Sequence, residues 1–301
     1  MLQKLKELFY IAPRIHETRN REHFHEQQIQ LKNGIIINYA EAGSGKLIVF
    51  LHGLANNWET WIPVSMHLMQ KYHVVLLDLP GYGKSTHLKE YSLQALAGMV
   101  AEFIGMLPEK PAAVVGLSLG SQLATTLLHN YSAVAESVVL NGPIFKIHDI
   151  GHINDFFTER IHDLGYVRFL LPPLRLYIKN TPASYLTSKY LNYYKFDRNL
   201  LDSYTRSGKY QVDPLAWLQL SGDAAELKQE ELLRDVKVPV LLIFGDHDNW
   251  TSTDGARKLM QGSKTDITYV TVKDSGHSVS IEKSAEVAAA IGNFLTSKIQ
   301  S

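Results

Sequence analysis

Apolar runs and amphipathic segments alternate along this chain in a pattern that predicts buried strands connected by helices. The runs at 47–51, 112–115 and 238–244 are continuously apolar, which is typical of strands covered on both faces. Strands that alternate with helices at this spacing favour a parallel sheet. The predicted strands are 29–31, 35–39, 47–51, 73–77, 112–115, 137–140, 238–244 and 267–272, and the predicted helices are 58–69, 92–107, 121–129, 253–260 and 282–299.

The N-terminal region departs from this alternation. Residues 1–28 are predicted to form a polar extension, and their pattern is compatible with one short amphipathic helix. We expect this helix to pack on its own domain, and weak docking on a membrane surface or a partner is the alternative. Charged residues in the same segment interrupt the apolar core that a signal peptide requires. The expected location is therefore cytoplasmic, with peripheral contact with a membrane as the alternative.

The alternation stops again between residues 143 and 222. This stretch contains no convincing buried strand, and it holds 14 of the 30 aromatic residues of the chain. Such a stretch indicates a helical cap inserted between two strands. The predicted organisation is an N-terminal extension at 1–28, an α/β core formed by 29–142 and 223–301, and a cap at 143–222.

Composition narrows the classes of function. The 301 residues carry 30 basic and 30 acidic side chains without a dense basic run, which argues against a nucleic-acid partner. A hydrophobic fraction of 45% is enough for a sizeable core. The absence of cysteine from the sequence excludes disulfides, thiolate catalysis and Cys-ligated metals.

Candidate chemistry is concentrated where the predicted strand 112–115 ends. This strand runs into Gly116-Leu117-Ser118-Leu119-Gly120, and a predicted helix follows at once. In a strand, turn and helix of this kind the sharp turn exposes the serine, and the two glycines let the strand and the helix approach each other. The pattern indicates that Ser118 is a nucleophile.

A serine nucleophile needs two further groups. A base must take the hydroxyl proton, and a carboxylate must fix the tautomer of that base. Candidates follow two later strands: Asp246 and Asp248 come after 238–244, and His277 comes after 267–272. Because the carboxyl ends of parallel strands meet at one edge of a sheet, we expect these side chains to lie near Ser118.

These motifs resemble those of the α/β-hydrolase superfamily, over nearly the whole chain after about residue 28. The resemblance implies a mostly parallel twisted sheet wrapped by helices, with an inserted helical cap. It favours the branch that has serine as nucleophile, because epoxide hydrolases and haloalkane dehalogenases of this fold carry aspartate at the turn. The motifs that match are His52-Gly53, Asp78-x-x-Gly81-x-Gly83-x-Ser85, Gly116 to Gly120, Gly245-x-x-Asp248 and Gly276-His277.

The resemblance also implies a role for each residue of the site. Ser118 is the nucleophile, His277 is the general base and then the general acid, and Asp248 orients His277. The backbone N–H groups of Leu54 and Leu119 form the oxyanion hole. Asp246, in the same loop, remains the alternative acid. No metal and no organic cofactor are expected.

The expected function is hydrolysis of a small-molecule carboxylic ester through an acyl-enzyme intermediate, as in carboxylesterases and lipases. The expected acyl group is apolar. A C–C bond hydrolase, a thioesterase and an aminopeptidase of the same fold are the alternatives within the enzyme class. A non-catalytic small-molecule receptor is the alternative of another class.

Aromatic residues of the cap are the candidate substrate-binding residues, because their density exceeds what a helical insertion needs for its own core. The alternative is that these rings only pack the cap onto the sheet. The cap also has nine basic and three acidic residues between Arg160 and Lys209. This excess disfavours recognition of an amine and favours an acyl group with a distal negative charge, or an anionic membrane surface. The candidate rings are Phe156, Phe157, Phe169, Tyr185, Tyr190, Tyr193 and Tyr194.

Overall fold

A computed structural model describes residues 18–145, 171–180, 189, 192–195, 197–250 and 253–299. Its centre is one eight-stranded sheet. The strands are β1 (His25–Gln30), β2 (Ile36–Ala42), β3 (Lys46–Leu51), β4 (Tyr72–Leu77), β5 (Ala113–Leu117), β6 (Val138–Asn141), β7 (Val240–Gly245) and β8 (Ile267–Val272). Their order across the sheet is β1-β2-β4-β3-β5-β6-β7-β8.

Most of the strand pairs in this sheet are parallel. β1 and β2 form an antiparallel hairpin with Ile29 opposite Ile37, and β2 also pairs antiparallel with β4. The turn of the hairpin contains Gly34, whose φ of 84° is accessible to glycine without a steric cost. The remaining five pairs are parallel. The prediction of a mostly parallel sheet is therefore confirmed.

Helices connect the strands and cover the sheet. A 3₁₀ turn at Trp58–Trp61 leads into the first α-helix, and Ser92 caps the second by accepting a hydrogen bond from the backbone N–H of Ala95 at 3.1 Å. The α-helices of the described residues are α1 (Ile62–Leu68), α2 (Leu93–Gly105), α3 (Leu119–Asn130), α4 (Leu171–Asn180), α5 (Arg198–Tyr204), α6 (Arg206–Gln211), α7 (Pro214–Glu226), α8 (Gln229–Leu233), α9 (Thr253–Leu259), α10 (Val279–Glu282) and α11 (Ser284–Ile299).

The sheet separates two hydrophobic cores. Side chains alternate between the faces of β3, so Val49 packs into one core and Ile48 and Phe50 pack into the other. The first core contains side chains of α2 and α3, and the second contains side chains of α1 and α11. Both faces of β3 are fully buried. This explains why the strand appears in the sequence as a continuous apolar run.

Three predicted boundaries differ from the structure. The helix predicted at 282–299 is two helices, α10 and α11, because Lys283 between them leaves the helical conformation with φ −139° and ψ 51°. The segment predicted as one helix at 58–69 begins with a 3₁₀ turn. β1 begins at His25, inside the predicted extension 1–28. Its side chains are exposed or partly buried at the edge of the sheet, so no apolar pattern marks its start.

The cap predicted at 143–222 contributes α4, α5, α6 and the greater part of α7 to the described residues. α7 runs past the predicted boundary at residue 222 and ends at Glu226, where its last turns pack beside α2 and α3. The predicted amphipathic helix near the N-terminus lies outside the described residues. Within the part of the chain that the structure describes, no helix combines the length and the apolar composition needed to cross a membrane.

Candidate active site

Ser118 stands at a strained turn between β5 and α3. Its backbone has φ 52° and ψ −114°, a region that residues with a Cβ rarely adopt. Glycines make this turn sterically feasible: a Cβ on Gly116 would lie 2.1 Å from the carbonyl oxygen of Gly120, and a Cβ on Gly120 would lie 2.2 Å from that of Leu51. The turn thus holds the serine side chain out of the sheet.

The structure brings Ser118, His277 and Asp248 into one hydrogen-bonded chain. The hydroxyl of Ser118 donates to Nε2 of His277 at 2.9 Å, and Nδ1–H of His277 donates to Oδ2 of Asp248 at 3.0 Å. The side chain of Asp248 is fully buried and that of His277 is 6% exposed. The other carboxylate oxygen of Asp248 accepts from the backbone N–H of Trp250 at 2.8 Å. The two nitrogens of the His277 ring therefore each have a defined hydrogen-bond partner, Ser118 on one side and Asp248 on the other.

Asp246, the alternative acid, points away from this chain. Its carboxylate accepts from Nδ1–H of His247 at 2.7 Å and from the backbone N–H of Ser275 at 3.2 Å. Burial tends to raise the pKa of Asp246, but these hydrogen bonds outweigh it and lower the pKa. The side chain of Asp246 is 31% exposed, and its carboxylate supports the loop that precedes His277.

The backbone N–H groups of Leu54 and Leu119 are the predicted oxyanion donors. Leu54 belongs to the loop after β3 and lines the cavity beside Ser118, and Leu119 is the first residue of α3. Neither N–H has an acceptor among the described residues. Unpartnered donors next to a nucleophile are the arrangement that stabilises an oxyanion.

His52 holds the start of the Leu54 loop. Its Nδ1–H donates to the carbonyl oxygen of Gly53 at 2.8 Å, and its Nε2 accepts from the backbone N–H of Leu79 at 3.1 Å. The ring is fully buried, and burial lowers the pKa of His52 to about 4. This histidine is therefore neutral at physiological pH, and it connects the ends of β3 and β4.

Asp78 secures the other end of the same loop. One carboxylate oxygen accepts from the backbone N–H of Trp58 at 2.9 Å, and the second accepts from Asn38 at 2.8 Å and from the backbone N–H of Lys84 at 2.9 Å. Burial raises the pKa of Asp78 to about 7, although these hydrogen bonds act in the opposite direction. Gly83 is required here, because a Cβ would lie 2.0 Å from the carboxylate.

Glu282 joins the loop of His277 to the cap. Its carboxylate accepts from the backbone N–H groups of Gly276 at 2.7 Å, Tyr194 at 3.0 Å and Lys195 at 2.9 Å. Burial raises the pKa of Glu282 in spite of these bonds. The histidine loop and cap residues 194 and 195 are thus held by one side chain.

A cavity of about 290 Å³ opens beside Ser118 and His277. Most of its described lining is apolar or aromatic, and it comes from both the core and the cap. Apart from these two residues, the described lining residues are Gly53, Leu54, Ala55, Asn56, Leu117, Ile144, Tyr177, Ile178, Asn192, Tyr193, Thr205, Lys209, Trp217, Trp250 and Ser278.

The predicted aromatic residues of the cap divide into three groups. Tyr193 is buried and lines the cavity. Tyr194 does not line it: the ring is 40% exposed and stacks on His247 with 3.7 Å between ring centroids. The physical reason is that neighbouring side chains of an irregular segment point in different directions. Phe156, Phe157, Phe169, Tyr185 and Tyr190 lie outside the described residues.

Several residues around the site were not singled out from the sequence. The aromatic residues Tyr177, Trp217 and Trp250 follow the general enrichment of the cap and its surroundings, so composition carried a weak signal for them. The basic excess between Arg160 and Lys209 indicated an anionic acyl group without indicating which residue would bind it. Glu282 acts through contacts with distant segments and left no local signal. No group of three or more acidic or histidine side chains in the described ranges is arranged to hold a metal ion.

The chain is similar in sequence to several known hydrolases. The chain is 34% identical over 122 residues to the (E)-2-((N-methylformamido)methylene)succinate hydrolase of Acinetobacter baylyi. The match covers 40% of this chain and 46% of that protein. The chain is 27% identical over 283 residues to the 2-(acetamidomethylene)succinate hydrolase of Mesorhizobium japonicum, covering 91% and 96%. The match to the first relative thus spans less than half of its length.

A solved structure and a family model extend the comparison. A thermophilic esterase from Thermogutta terrifontis superimposes with a TM-score of 0.73 at 17% identity, over 91% of this chain and 99% of that one, which shows a shared fold. A sequence model of the alpha/beta hydrolase fold matches residues 46–284, the greater part of the chain. The chain belongs to the alpha/beta hydrolase fold family.

Proposed function

We propose that the protein is a serine hydrolase that cleaves a carboxylic ester through an acyl-enzyme intermediate. The observation that carries the proposal is the hydrogen-bonded chain from Ser118 through His277 to the buried carboxylate of Asp248, at the wall of a cavity. Nucleophile, base and orienting acid each have the partner that this chemistry requires.

Acylation is the first half of the proposed reaction. Nε2 of His277 takes the hydroxyl proton while Oγ of Ser118 attacks the ester carbonyl carbon, and Asp248 stabilises the imidazolium that forms. The carbonyl oxygen becomes an oxyanion that accepts hydrogen bonds from the N–H groups of Leu54 and Leu119. Nε2–H then protonates the departing alkoxide, and the C–O bond breaks to give the acyl-enzyme and an alcohol.

Deacylation repeats these steps with water as the nucleophile. His277 takes a proton from water, the resulting hydroxide attacks the acyl carbon, and the oxyanion again occupies the site between the two N–H groups. Collapse of this intermediate expels Oγ of Ser118, which regains its proton from Nε2–H. The products are a carboxylic acid and a regenerated enzyme.

The cavity supports an ester with an apolar part over the alternatives. Its described wall is mainly aliphatic and aromatic, which suits a hydrocarbon group. It includes no acidic side chain among the described residues, and an aminopeptidase needs one to bind the substrate amine. The related proteins named as succinate hydrolases and the esterase of the same fold are consistent with hydrolysis at this kind of site.

A fluorophosphonate probe tests the proposal, because it reacts with an activated serine and remains attached to it. We expect the label on Ser118, hydrolysis of p-nitrophenyl butanoate by the unaltered protein, and loss of both in Ser118→Ala. Ser132→Ala, at an exposed position after α3, is the matched control. A label on another serine, or an unchanged rate in Ser118→Ala, contradicts the mechanism.

A substrate panel separates ester hydrolysis from its alternatives. The panel contains a p-nitrophenyl ester, the matching thioester, the matching anilide and a vinylogous diketone for C–C cleavage. We expect the ester to have the highest kcat/KM. Absence of turnover for every compound, with no labelling of Ser118, points to a receptor instead.

A further inference from the structure

Lys209 places a positive charge on the wall of the cavity that contains Ser118. It is the one lysine or arginine among the described residues that line this cavity, and none of those residues is acidic. The other described lining residues are uncharged, apart from the titratable His277. An anionic group that enters the cavity therefore meets an attractive charge and no described repulsive one.

The charged neighbours of Lys209 leave this attraction in place. Asp202 acts on Lys209 electrostatically, but the same carboxylate lies 3.8 Å from the guanidinium of Arg206. The three side chains together carry one net positive charge. Burial lowers the pKa of Lys209 to about 8, and Asp202 counteracts part of this effect. Most of the Lys209 side chains are therefore protonated at pH 7.

The position of Lys209 is fixed relative to the nucleophile. Its helix α6 rests on the loop that carries Leu54, and Gly208 is in direct contact with Asn56 of that loop. Asn57 donates to the hydroxyl of Ser207 at 2.9 Å and to Gln211 at 3.3 Å. Ser207 also donates to the carboxylate of Glu59. These bonds connect both ends of α6 to the loop and hold it there.

We propose that Lys209 binds a carboxylate on the substrate, so that the preferred substrates are esters with one negative charge at a distance from the scissile bond. This inference rests on the proposed ester hydrolysis. A charge-assisted hydrogen bond between the Lys209 ammonium and a carboxylate is stronger in a largely apolar cavity than in water, so it stabilises the bound anion.

Matched esters test the inference. Mono-p-nitrophenyl adipate is compared with p-nitrophenyl methyl adipate for a charge in the acyl part, and 4-carboxyphenyl butanoate with its methyl ester for a charge in the alcohol part. We expect the charged member of one pair to have the higher kcat/KM. Lys209→Met should reduce kcat/KM for that charged ester by about 10- to 100-fold and change that of its neutral partner by less than about threefold.

Two control variants separate charge from structure. Lys209→Arg keeps the charge and should retain most of the preference. Arg175→Met removes an exposed basic side chain of α4 that does not line the cavity, and it should leave both pairs unchanged. Equal losses for the charged and the neutral ester in Lys209→Met overturn the proposal, as does the lack of a preference in the unaltered protein.

A binding measurement keeps the inference testable without turnover. Adipate is titrated calorimetrically into Ser118→Ala and into the double variant Ser118→Ala with Lys209→Gln. We expect at least tenfold weaker binding to the double variant, and equal binding overturns the role of Lys209. If adipate binds through Lys209 while no ester is hydrolysed by the unaltered protein, the ester proposal fails and the anion site stands.

Discussion

Gly208 of the cap is in van der Waals contact with the backbone of Asn56. A Cβ on Gly208 would lie 2.5 Å from the carbonyl carbon of Asn56 and 2.6 Å from its Cα, closer than real Cβ atoms approach other atoms. Asn56 follows Leu54 by two residues in the same loop. Helix α6 therefore supports the loop that carries one of the two proposed oxyanion donors.

Substitution of Gly208 by alanine should reduce catalysis. The added methyl group must push α6 away from the Leu54 loop, which displaces the proposed oxyanion donor. Complete loss of one such donor lowers kcat by about 100-fold or more, and displacement should cost part of that. We expect kcat for p-nitrophenyl butanoate to fall by at least about tenfold. Gly292→Ala in α11 is the matched control, because apart from the adjoining backbone of its own helix no atom lies within 4 Å of its added Cβ. An unchanged kcat in Gly208→Ala contradicts this role of the cap.

The two aspartates of the loop after β7 should differ in their effect on kcat. Asp248 accepts the hydrogen bond from Nδ1 of His277, and loss of such a carboxylate in serine proteases costs about 10⁴-fold. We expect Asp248→Asn to lower kcat by about 10³- to 10⁴-fold. Asp246→Asn should lower it by less than about tenfold, since Asp246 bonds to His247 and Ser275 instead. A larger loss of kcat in Asp246→Asn than in Asp248→Asn would show that Asp246, not Asp248, is the orienting acid.

The buried imidazole of His52 should make stability depend on pH. The pKa of His52 is about 4 in the folded protein and 6.5 when exposed, so the unfolded chain binds more protons between these values. Stability from this group is therefore present above pH 6.5 and lost as the pH falls towards 4. We expect the difference in the free energy of unfolding between the protein and His52→Gln to shrink by about 2–3 kcal/mol from pH 7.5 to 4.5.

Urea denaturation at several pH values measures this difference. Burial raises the pKa of Asp78 to about 7 and produces a slope of the opposite sign, but Asp78 is present in both proteins and its contribution cancels. His67→Gln, at an exposed position of α1, is the matched control for loss of a histidine. A difference for His52→Gln that is independent of pH refutes the prediction.

Acyl-chain length should affect kcat/KM until the cavity is full. Each buried methylene contributes up to about 0.8 kcal/mol, equivalent to about fourfold in kcat/KM. A cavity of about 290 Å³ is at the small end of the usual range for ligand sites, so short and medium chains should fill it. p-Nitrophenyl esters from acetate to decanoate measure the profile, and a flat profile excludes an acyl pocket here.

A pair of neighbouring tyrosines shows whether the wall of the cavity sets the length preference. Tyr193→Leu enlarges the cavity and should shift the optimum to longer chains, whereas Tyr194→Leu changes an exposed ring on His247 and should leave the optimum unchanged. Equal shifts in the two variants contradict the assignment of Tyr193 to the cavity wall.

The positions of the strands and the mostly parallel character of the sheet were largely accessible from the sequence, because their physical causes are local. β3 and β7 are buried on both faces and are therefore continuously apolar, and the Asn33-Gly34 turn fixes the first hairpin. The glycines around Ser118 are needed for close approach of backbones, so the turn left a sequence pattern. Because the carboxyl ends of parallel strands lie at one edge of the sheet, the loops that follow β5, β7 and β8 were expected to lie together.

Contacts between distant segments were not accessible in this way. The family resemblance favoured Asp248 over Asp246, but the local pattern alone did not, because the choice depends on the direction of two side chains in one loop. Gly208, Lys209 and Glu282 owe their roles to partners more than 80 residues away in the chain. A pattern of apolar and polar positions reports burial, and it does not report the identity of the partner.

The hydrogen bond between Ser118 and His277 joins residues separated by 159 positions. A ribosome adds about 5–20 residues per second, so Ser118 is synthesised about 8 to 30 s before its base exists. During that interval the serine has the reactivity of an ordinary alcohol. If the proposed mechanism holds, a nascent or prematurely terminated chain is inert towards esters, and the proposed hydrolysis begins only when the last strand and its histidine loop join the sheet.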